Sequence, residues 1–208
     1  MNVDVLISFA LATAALAIAP GPDNIYVLMQ SLTHGKTSGL ATVAGLITGC
    51  LVHTTLVAFG ISAVIKQSDL LFFGIKLFGA GYLLFLAYKV FKSPADVLLS
   101  RDTVPQKSLM QLFKQGFIMN VLNPKVSIFF LAFFPGFLFS SQLSTVLQFY
   151  ILGLVFMGVS FIIFSGIAFL AGSISTYLKQ HQGVGVVLKW LQIVVFVSIA
   201  VFILLSEK

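Results

Sequence analysis

Apolar runs of membrane-crossing length dominate the chain, and short polar stretches punctuate them. A helix needs about 20 consecutive apolar residues to cross a bilayer. Scanning at that length gives six candidate spans: about Asp4 to Gln30, Ser38 to Ile65, Asp69 to Phe91, Leu112 to Phe139, Leu143 to Ala171 and Val186 to Leu205. The runs are continuous rather than alternating, which fits helices and not the strands of a β-barrel. The links "SLTHGKTS", "KQSD", "SSQ" and "YLKQHQGVG" are short, whereas one long link, Lys92 to Gln111, holds Pro94 and Pro105. The pattern therefore predicts an all-α integral membrane protein with six transmembrane helices.

Composition agrees with that solvent. Of the 208 residues, 59% are hydrophobic and 9% charged, against about a quarter charged in a water-soluble domain. The net charge of +6 need not mean nucleic acid, because cytoplasmic loops of membrane proteins are enriched in Lys and Arg. Between Lys89 and Lys114, the basic residues Lys89, Lys92, Arg101, Lys107 and Lys114 outnumber the acidic Asp96 and Asp102, which places the long link in the cytoplasm. The links carrying Lys36 and Lys179 fall on the same side, and both termini are expected outside. Only Lys66 and Lys208 run against this orientation. The N-terminal run lacks the preceding Lys or Arg of a secretory signal, so it reads as a retained first span. Cys50 is the single cysteine and implies no internal disulfide.

Three spans on either side of one long link suggest a duplication, and an odd number per half forces the halves into opposite orientations. The expected organisation is a first three-helix repeat over residues 1–91, a cytoplasmic linker over 92–111 and a second three-helix repeat over 112–208. The sharpest sign is a matched pair of interruptions. Span 1 carries Pro22 followed by Asp23, and span 4 carries Pro124 followed by Lys125, both at an offset of 102. Spans 2 and 5 echo each other weakly in Gly45/Gly49 and Gly153/Gly158.

Proline lacks an amide hydrogen and clashes with the preceding turn, so each interruption frees backbone groups that lipid cannot satisfy. Pro20, Gly21 and Pro22 mark the break in span 1, and Pro124 the break in span 4. Pro22 and Pro124 suit the first position of a new half-helix, with Asn123 placed as an N-cap. Both half-helices would aim positive N-terminal ends at the membrane interior. Asp23 and Lys125 sit there with opposite charge, and each would cost on the order of 3 kcal/mol alone near the bilayer centre. They should pair, line a wet cavity, or both. A kink without a ligand explains one break; a zwitterion explains two breaks of complementary charge. A free amino acid would give its carboxylate to Lys125 and its ammonium to Asp23 and the freed carbonyls. Asn24, Asn120 and Asn123 flank the breaks and complete the expected substrate-binding set with Asp23 and Lys125.

At these residues the chain resembles the LysE/RhtB family of amino-acid exporters. The resemblance covers nearly the whole chain, through "APGPDNIYVL", "GLITGCLVHTTLVAFG", "IKLFGAGYLLFLAYKVFK" and "FKQGFIMNVLNPKVSIFFLAFFPGF". Its specific parts are the "PGP" break and the "NPK" with its upstream "FxxGFxxN". Many members read "PQF" where this chain has Pro135, Gly136 and Phe137. The resemblance implies a bacterial inner-membrane exporter, driven by the proton gradient, of amino acids or close derivatives such as homoserine or its lactone. The absence of a second acidic residue near Asp23 favours a neutral substrate of threonine, homoserine or leucine type. Alternatives are an exporter of another small solute or cation, an intramembrane enzyme or an accessory membrane subunit.

Asp23 is the expected proton-coupling group. His53, mid-span beside Thr54 and Thr55, is the second candidate, with a plain interhelical hydrogen bond as its other reading. Lys76 is expected to snorkel outward, Cys50 to fill space, and Trp190, Tyr177 and Lys179 to form an interface belt. Gly45 and Gly49 suit close helix packing, within the chain or between copies in a homo-oligomer. No metal cluster, phosphate loop or nucleophile–base motif is recognisable, so no cofactor, no metal, no nucleic acid and no catalytic residue is expected. The partners are the lipid bilayer, the amino-acid substrate and protons.

Overall fold

The computed structural model describes residues 3–93, 106–181 and 183–205. Arg101, most of the expected linker and Lys208 lie outside the described residues. The elements in order are α1 (Val3–Ile18), α2 (Pro22–His34), α3 (Lys36–Leu56), a π-helical turn (Val57–Ile61), α4 (Ser62–Gln67), α5 (Asp69–Lys92), α6 (Leu109–Val121), α7 (Pro124–Ile128), a second π-helical turn (Phe129–Phe133), a 3-10 turn (Phe134–Phe137), α8 (Thr145–Phe169), α9 (Ala171–Gln180) and α10 (Gly183–Leu205).

Four stretches are long and apolar enough to cross a membrane unaided: Lys36–Val64, Asp69–Lys92, Thr145–Phe169 and Gly183–Leu205. Two further spans form if each bent pair is one crossing: α1 with α2, bent by 61°, and α6 with Pro124–Phe137, bent by 48°. The expected broken helices 1 and 4 are therefore present, and both restart at their prolines.

Short polar residues start the helices by accepting from exposed backbone N–H groups. Ser68 Oγ accepts from Leu71 N at 3.2 Å and Ser144 Oγ from Leu147 N at 3.3 Å. Ser108 and Gln111 cap each other reciprocally at the start of α6. The link "SLTHGKTS" contracts to Gly35, whose φ of 84° turns the chain between α2 and α3 in one residue. The link "YLKQHQGVG" differs from expectation: its first part is helical, in α9. A scan for membrane-crossing length misses a ten-residue amphipathic helix, here one packed against α2 and α8.

Helix association in lipid relies on close contact rather than on a hydrophobic drive, and glycines provide it. A Cβ at Gly45 would strike the Phe113 carbonyl, one at Gly116 the Thr42 carbonyl, and one at Gly49 the side chain of Asn120. The α3–α6 pair is thus locked backbone to backbone, so Gly45 and Gly49 serve packing inside the chain. Gly153 meets Thr54 in the same way, while Gly158 faces open space. Around these pairs, α3 also packs on α8, α8 on α1, and α5 on α10.

The outside is apolar, as a bilayer requires. Leu70, Phe73, Leu77, Phe78, Phe85 and Phe91 of α5 are exposed, as are Val187, Trp190 and Val194 of α10. Lys76 does not follow the outward course expected of it. It is 8% exposed, with its ammonium 5.9 Å from the Phe72 ring centre, because its position on α5 turns toward the bundle rather than toward the helix end.

Candidate functional site

Both breaks deliver their polar residues to one place in the bundle. At the second break, Asn123 adopts extended geometry and its Oδ1 accepts from Lys125 N at 3.0 Å, which caps α7 as its sequence suggests. At the first, Gly21 precedes Pro22 with no side-chain cap. The breaks are joined across the chain by Asn123 Nδ2, which donates to Asp23 Oδ2 at 2.8 Å.

Lys125 does not reach Asp23 as an ion pair. Its Nζ donates to the carbonyls of Leu16 at 3.0 Å and Ala19 at 3.1 Å, while Asn24 Nδ2 donates to Ala17 O at 2.7 Å. These are the C-terminal carbonyls that ending α1 leaves orphaned, and a cation there is also favoured by the helix dipole. The freed carbonyls of span 1 are thus already occupied, where the sequence reading leaves them for a substrate ammonium. Lys125 retains one ammonium proton beyond these two bonds. Asp23 is 5% exposed and its Oδ1 has no hydrogen-bond partner; Asn120, 2% exposed, likewise leaves Oδ1 unpaired.

Asp23, Asn24, Asn120, Asn123 and Lys125 all line a single small cavity of about 30 Å³, together with Gly21. A space of that size holds about one water and no amino acid. His53 does not line it. Its Nε2 lies 3.2 Å from the Asn120 carbonyl and its ring centre 5.3 Å from that of Phe130, so the interhelical bond is present and the imidazole stands one residue behind the cavity.

The cavity lies between two unlike regions. On the side where α5 ends and α10 begins, a much larger vestibule of about 750 Å³ shares Gly21 and Asn24 with it and is walled by residues such as Ile25, Leu28, Ile163 and Leu188. On the opposite side, Phe9, Phe129, Phe130, Phe133, Phe134 and Phe137 are fully or nearly fully buried against one another. Phe130 and Phe134 stack at 4.1 Å, Phe129 and Phe133 at 4.4 Å, and Phe9 meets Phe134 edge-on at 4.9 Å. Such pairs add about 0.5–1.5 kcal/mol each beyond burial. Phe156 touches this cluster through Phe130 and also lines the cavity.

The pattern of the LysE type translocator family matches residues 14–207 of the chain. The chain belongs to that family. Among the translocator's relatives is a homoserine/homoserine lactone efflux protein of Salmonella typhimurium, 32% identical over 173 residues that make up 83% of this chain and 82% of the relative. An uncharacterised membrane protein of Vibrio cholerae is 29% identical over 180 residues, 86% of this chain and 87% of the relative. One of Bacillus subtilis is 32% identical over 143 residues, 64% and 67% respectively. No solved structure matches. The translocator is accordingly a multi-pass membrane protein of a bacterial transporter family.

Sequence reasoning missed part of the cavity wall. Cys50, Phe156, Ser160 and Phe164 line it, although Cys50 reads from sequence as a packing residue and the phenylalanines as generic. Cys50 lies one residue after Gly49, whose missing side chain admits Asn120; the glycine next to a polar partner was the available signal. For α8, a hydrophobic run on every face gave none.

Proposed function

We propose that this translocator exports neutral amino acids or close derivatives, of threonine, homoserine or leucine type, across the bacterial inner membrane in exchange for protons. The observation that carries this reading is the joined pair of breaks: an unpartnered carboxylate oxygen on Asp23 and a lysine with one free proton, in one cavity that shares Gly21 and Asn24 with a vestibule. Asp23 Oδ1 suits an ammonium and the remaining proton of Lys125 suits a carboxylate. Cys50, Phe156, Ser160 and Phe164 would meet the side chain. They carry no charge, which supports a neutral substrate. The efflux function named for the Salmonella relative agrees in chemical class.

Asp23 carries the coupling proton in this reading: ionised it holds the ammonium, protonated it releases it. His53, behind Asn120, is the alternative group. The two halves, residues 1–91 and 112–208, act as inverted repeats that rock about the broken helices. With the 92–111 linker and its basic residues in the cytoplasm, the vestibule faces the cytoplasm and the phenylalanine cluster closes the outer side, which is a loading state. Enlarging the 30 Å³ cavity to admit substrate is then part of the transport cycle.

An export screen tests the substrate: cells loaded with single amino acids as dipeptides, with efflux compared with and without the protein. Preferred efflux of lysine or arginine contradicts the neutral site. Reporters fused after Arg101 and after Lys208 should lie inside and outside respectively, and finding both on one side overturns the six-span topology.

A further inference from the structure

Helix α2 separates two unlike surfaces between the centre and the vestibule end of the bundle. Asn24, Ile25 and Leu28 face the wide vestibule. At about 100° per residue, Asp23, Gln30 and His34 lie within about 40° of one another on roughly the opposite face, with Tyr26 beside them. That face is largely buried yet polar by content. Gln30 is 0% exposed, and neither its Oε1 nor its Nε2 has a hydrogen-bond partner. Asp23 Oδ1, Tyr26 Oη and His34 Nδ1 are likewise buried and unpartnered. Ser165 Oγ, on the α8 helix that packs against α2, is a further unpartnered group toward the same end.

Each buried donor or acceptor left unmade costs about 1–3 kcal/mol, and water satisfies such groups where several converge. The four residues climb about 16 Å along α2, about half the hydrocarbon thickness, from the central carboxylate to the end of the helix. We infer that Tyr26, Gln30 and His34 line a water-filled proton route connecting Asp23 to the linker side of the membrane, separate from the substrate vestibule. The route deepens the proposed antiport and rests on that reading. Gln30, which can donate and accept at once, is its most deeply buried polar element, 0% exposed. His34 stands at its mouth, at the linker-side end of α2. The proton leaves Asp23 as the substrate ammonium arrives from the other face of α2, so the two never need to pass each other.

Among the described side chains, the charged and titratable groups on the helices packed against α2 have other contacts or are exposed, and Cys50 of α3 donates to the Leu46 carbonyl. His53 of α3 bonds the Asn120 carbonyl, and Lys36 lies 5.6 Å over Phe169. Tyr150 of α8 pairs with Thr55, Lys114 of α6 is exposed, and Tyr177 of α9, which also carries Lys179, stacks on His181. Lys125, beside Asp23, holds the Leu16 and Ala19 carbonyls.

The test uses proteoliposomes loaded with labelled homoserine, threonine and leucine, with an imposed pH gradient and a trapped pH dye. Gln30→Leu keeps size and removes both polar atoms. It should slow pH-driven net efflux and the accompanying proton signal by about tenfold or more, while substrate-for-substrate exchange stays within about twofold of wild type. Gln30→Ser, which leaves room for water, should recover most of the rate. Because the Gln30 amide has no protein partner to lose, Gln30→Leu should unfold no earlier than wild type. If it does not fold, Tyr26→Phe removes only a hydroxyl and should slow net efflux several-fold with exchange intact. Equal pH-driven efflux in wild type and Gln30→Leu, or equal losses of exchange and net efflux, overturns the route and leaves the antiport reading standing. Wild-type exchange without any pH-driven efflux removes the antiport reading and the route with it.

Discussion

The two breaks differ in how they satisfy themselves. The second is closed locally: Asn123 caps the backbone two residues on, and α6 runs almost directly into α7. The first is closed only in part by its own sequence: Asn24 holds the Ala17 carbonyl but Gly21 offers no cap, and the Leu16 and Ala19 carbonyls at the end of α1 are held from the other half of the chain by Lys125. The second break is therefore a fixed element and the first a dependent one. In the proposed cycle, a movement of Lys125 toward a substrate carboxylate would release α1 and so would couple binding to opening through one ammonium group.

The most severe way to break this comparison is to remove the charge on the dependent side. Asp23→Asn keeps shape and the contact with Asn123 but cannot titrate. Proton-driven net efflux should fall by about a hundredfold or more, with exchange surviving better, as measured in proteoliposomes with an imposed pH gradient. Concentrative efflux that still responds to pH in this variant transfers the coupling role to His53. Lys125→Ala comes next. It leaves the Leu16 and Ala19 carbonyls without their donor, at about 1–3 kcal/mol for each buried acceptor, and removes the carboxylate's partner. Both thermal stability and apparent substrate affinity should drop; an unchanged melting temperature would show that water replaces the ammonium and that the first break stands alone.

What was legible in the sequence follows the same division. Pro22, Pro124 and the cap at Asn123 act through their nearest neighbours in the chain, so local chemistry sufficed to place them. The destination of Lys125 did not follow, because a lysine opposite an aspartate suggests an ion pair, and only the fold shows three orphaned carbonyls at hand. Span count was readable from apolar length alone. The wall from α8 was not, since an all-round hydrophobic helix has no periodicity to mark Phe156, Ser160 and Phe164 as facing the cavity. The polar stripe on α2 was hidden for a related reason: Gln30 and His34 lie at the polar end of a span, and the burial of Gln30 and of His34 Nδ1 arises only in the folded bundle, where α3 and α8 pack against α2.

Asn123→Ala sharpens the comparison by touching both breaks at once. It removes the α7 cap, worth about 1 kcal/mol, and the donor to Asp23 Oδ2. Because the second break depends on this cap while the first depends on Lys125, Asn123→Asp should preserve the cap but place a second carboxylate beside Asp23. The expected order of stability is wild type, then Asn123→Ala, then Asn123→Asp, read by thermal unfolding in detergent. Near-wild-type stability of the aspartate variant would mean that the Asn123–Asp23 bond does not join the breaks.

The smallest expected effect concerns the backbone of the first break. Gly21 has φ −161°, extended geometry that any residue adopts, so a methyl group there meets no conformational penalty. A Cβ would lie 3.6 Å from Lys125 Nζ and 3.7 Å from Asn24 Oδ1, ordinary contact distances. Gly21→Ala should therefore fold with a melting temperature close to wild type. Its methyl group nevertheless projects toward residues of the cavity and lies where the vestibule and the cavity meet, since Gly21 lines both. Substrate entering from the vestibule has to pass that point, so the apparent Km for efflux should rise about two- to tenfold, on the scale of a methyl group in a fitted pocket. Pro124→Ala, by contrast, alters the fixed break away from this passage and should lower the maximal rate more than the affinity. If Gly21→Ala leaves Km unchanged, substrate does not enter the cavity past the first break, and the vestibule on that side is not its path.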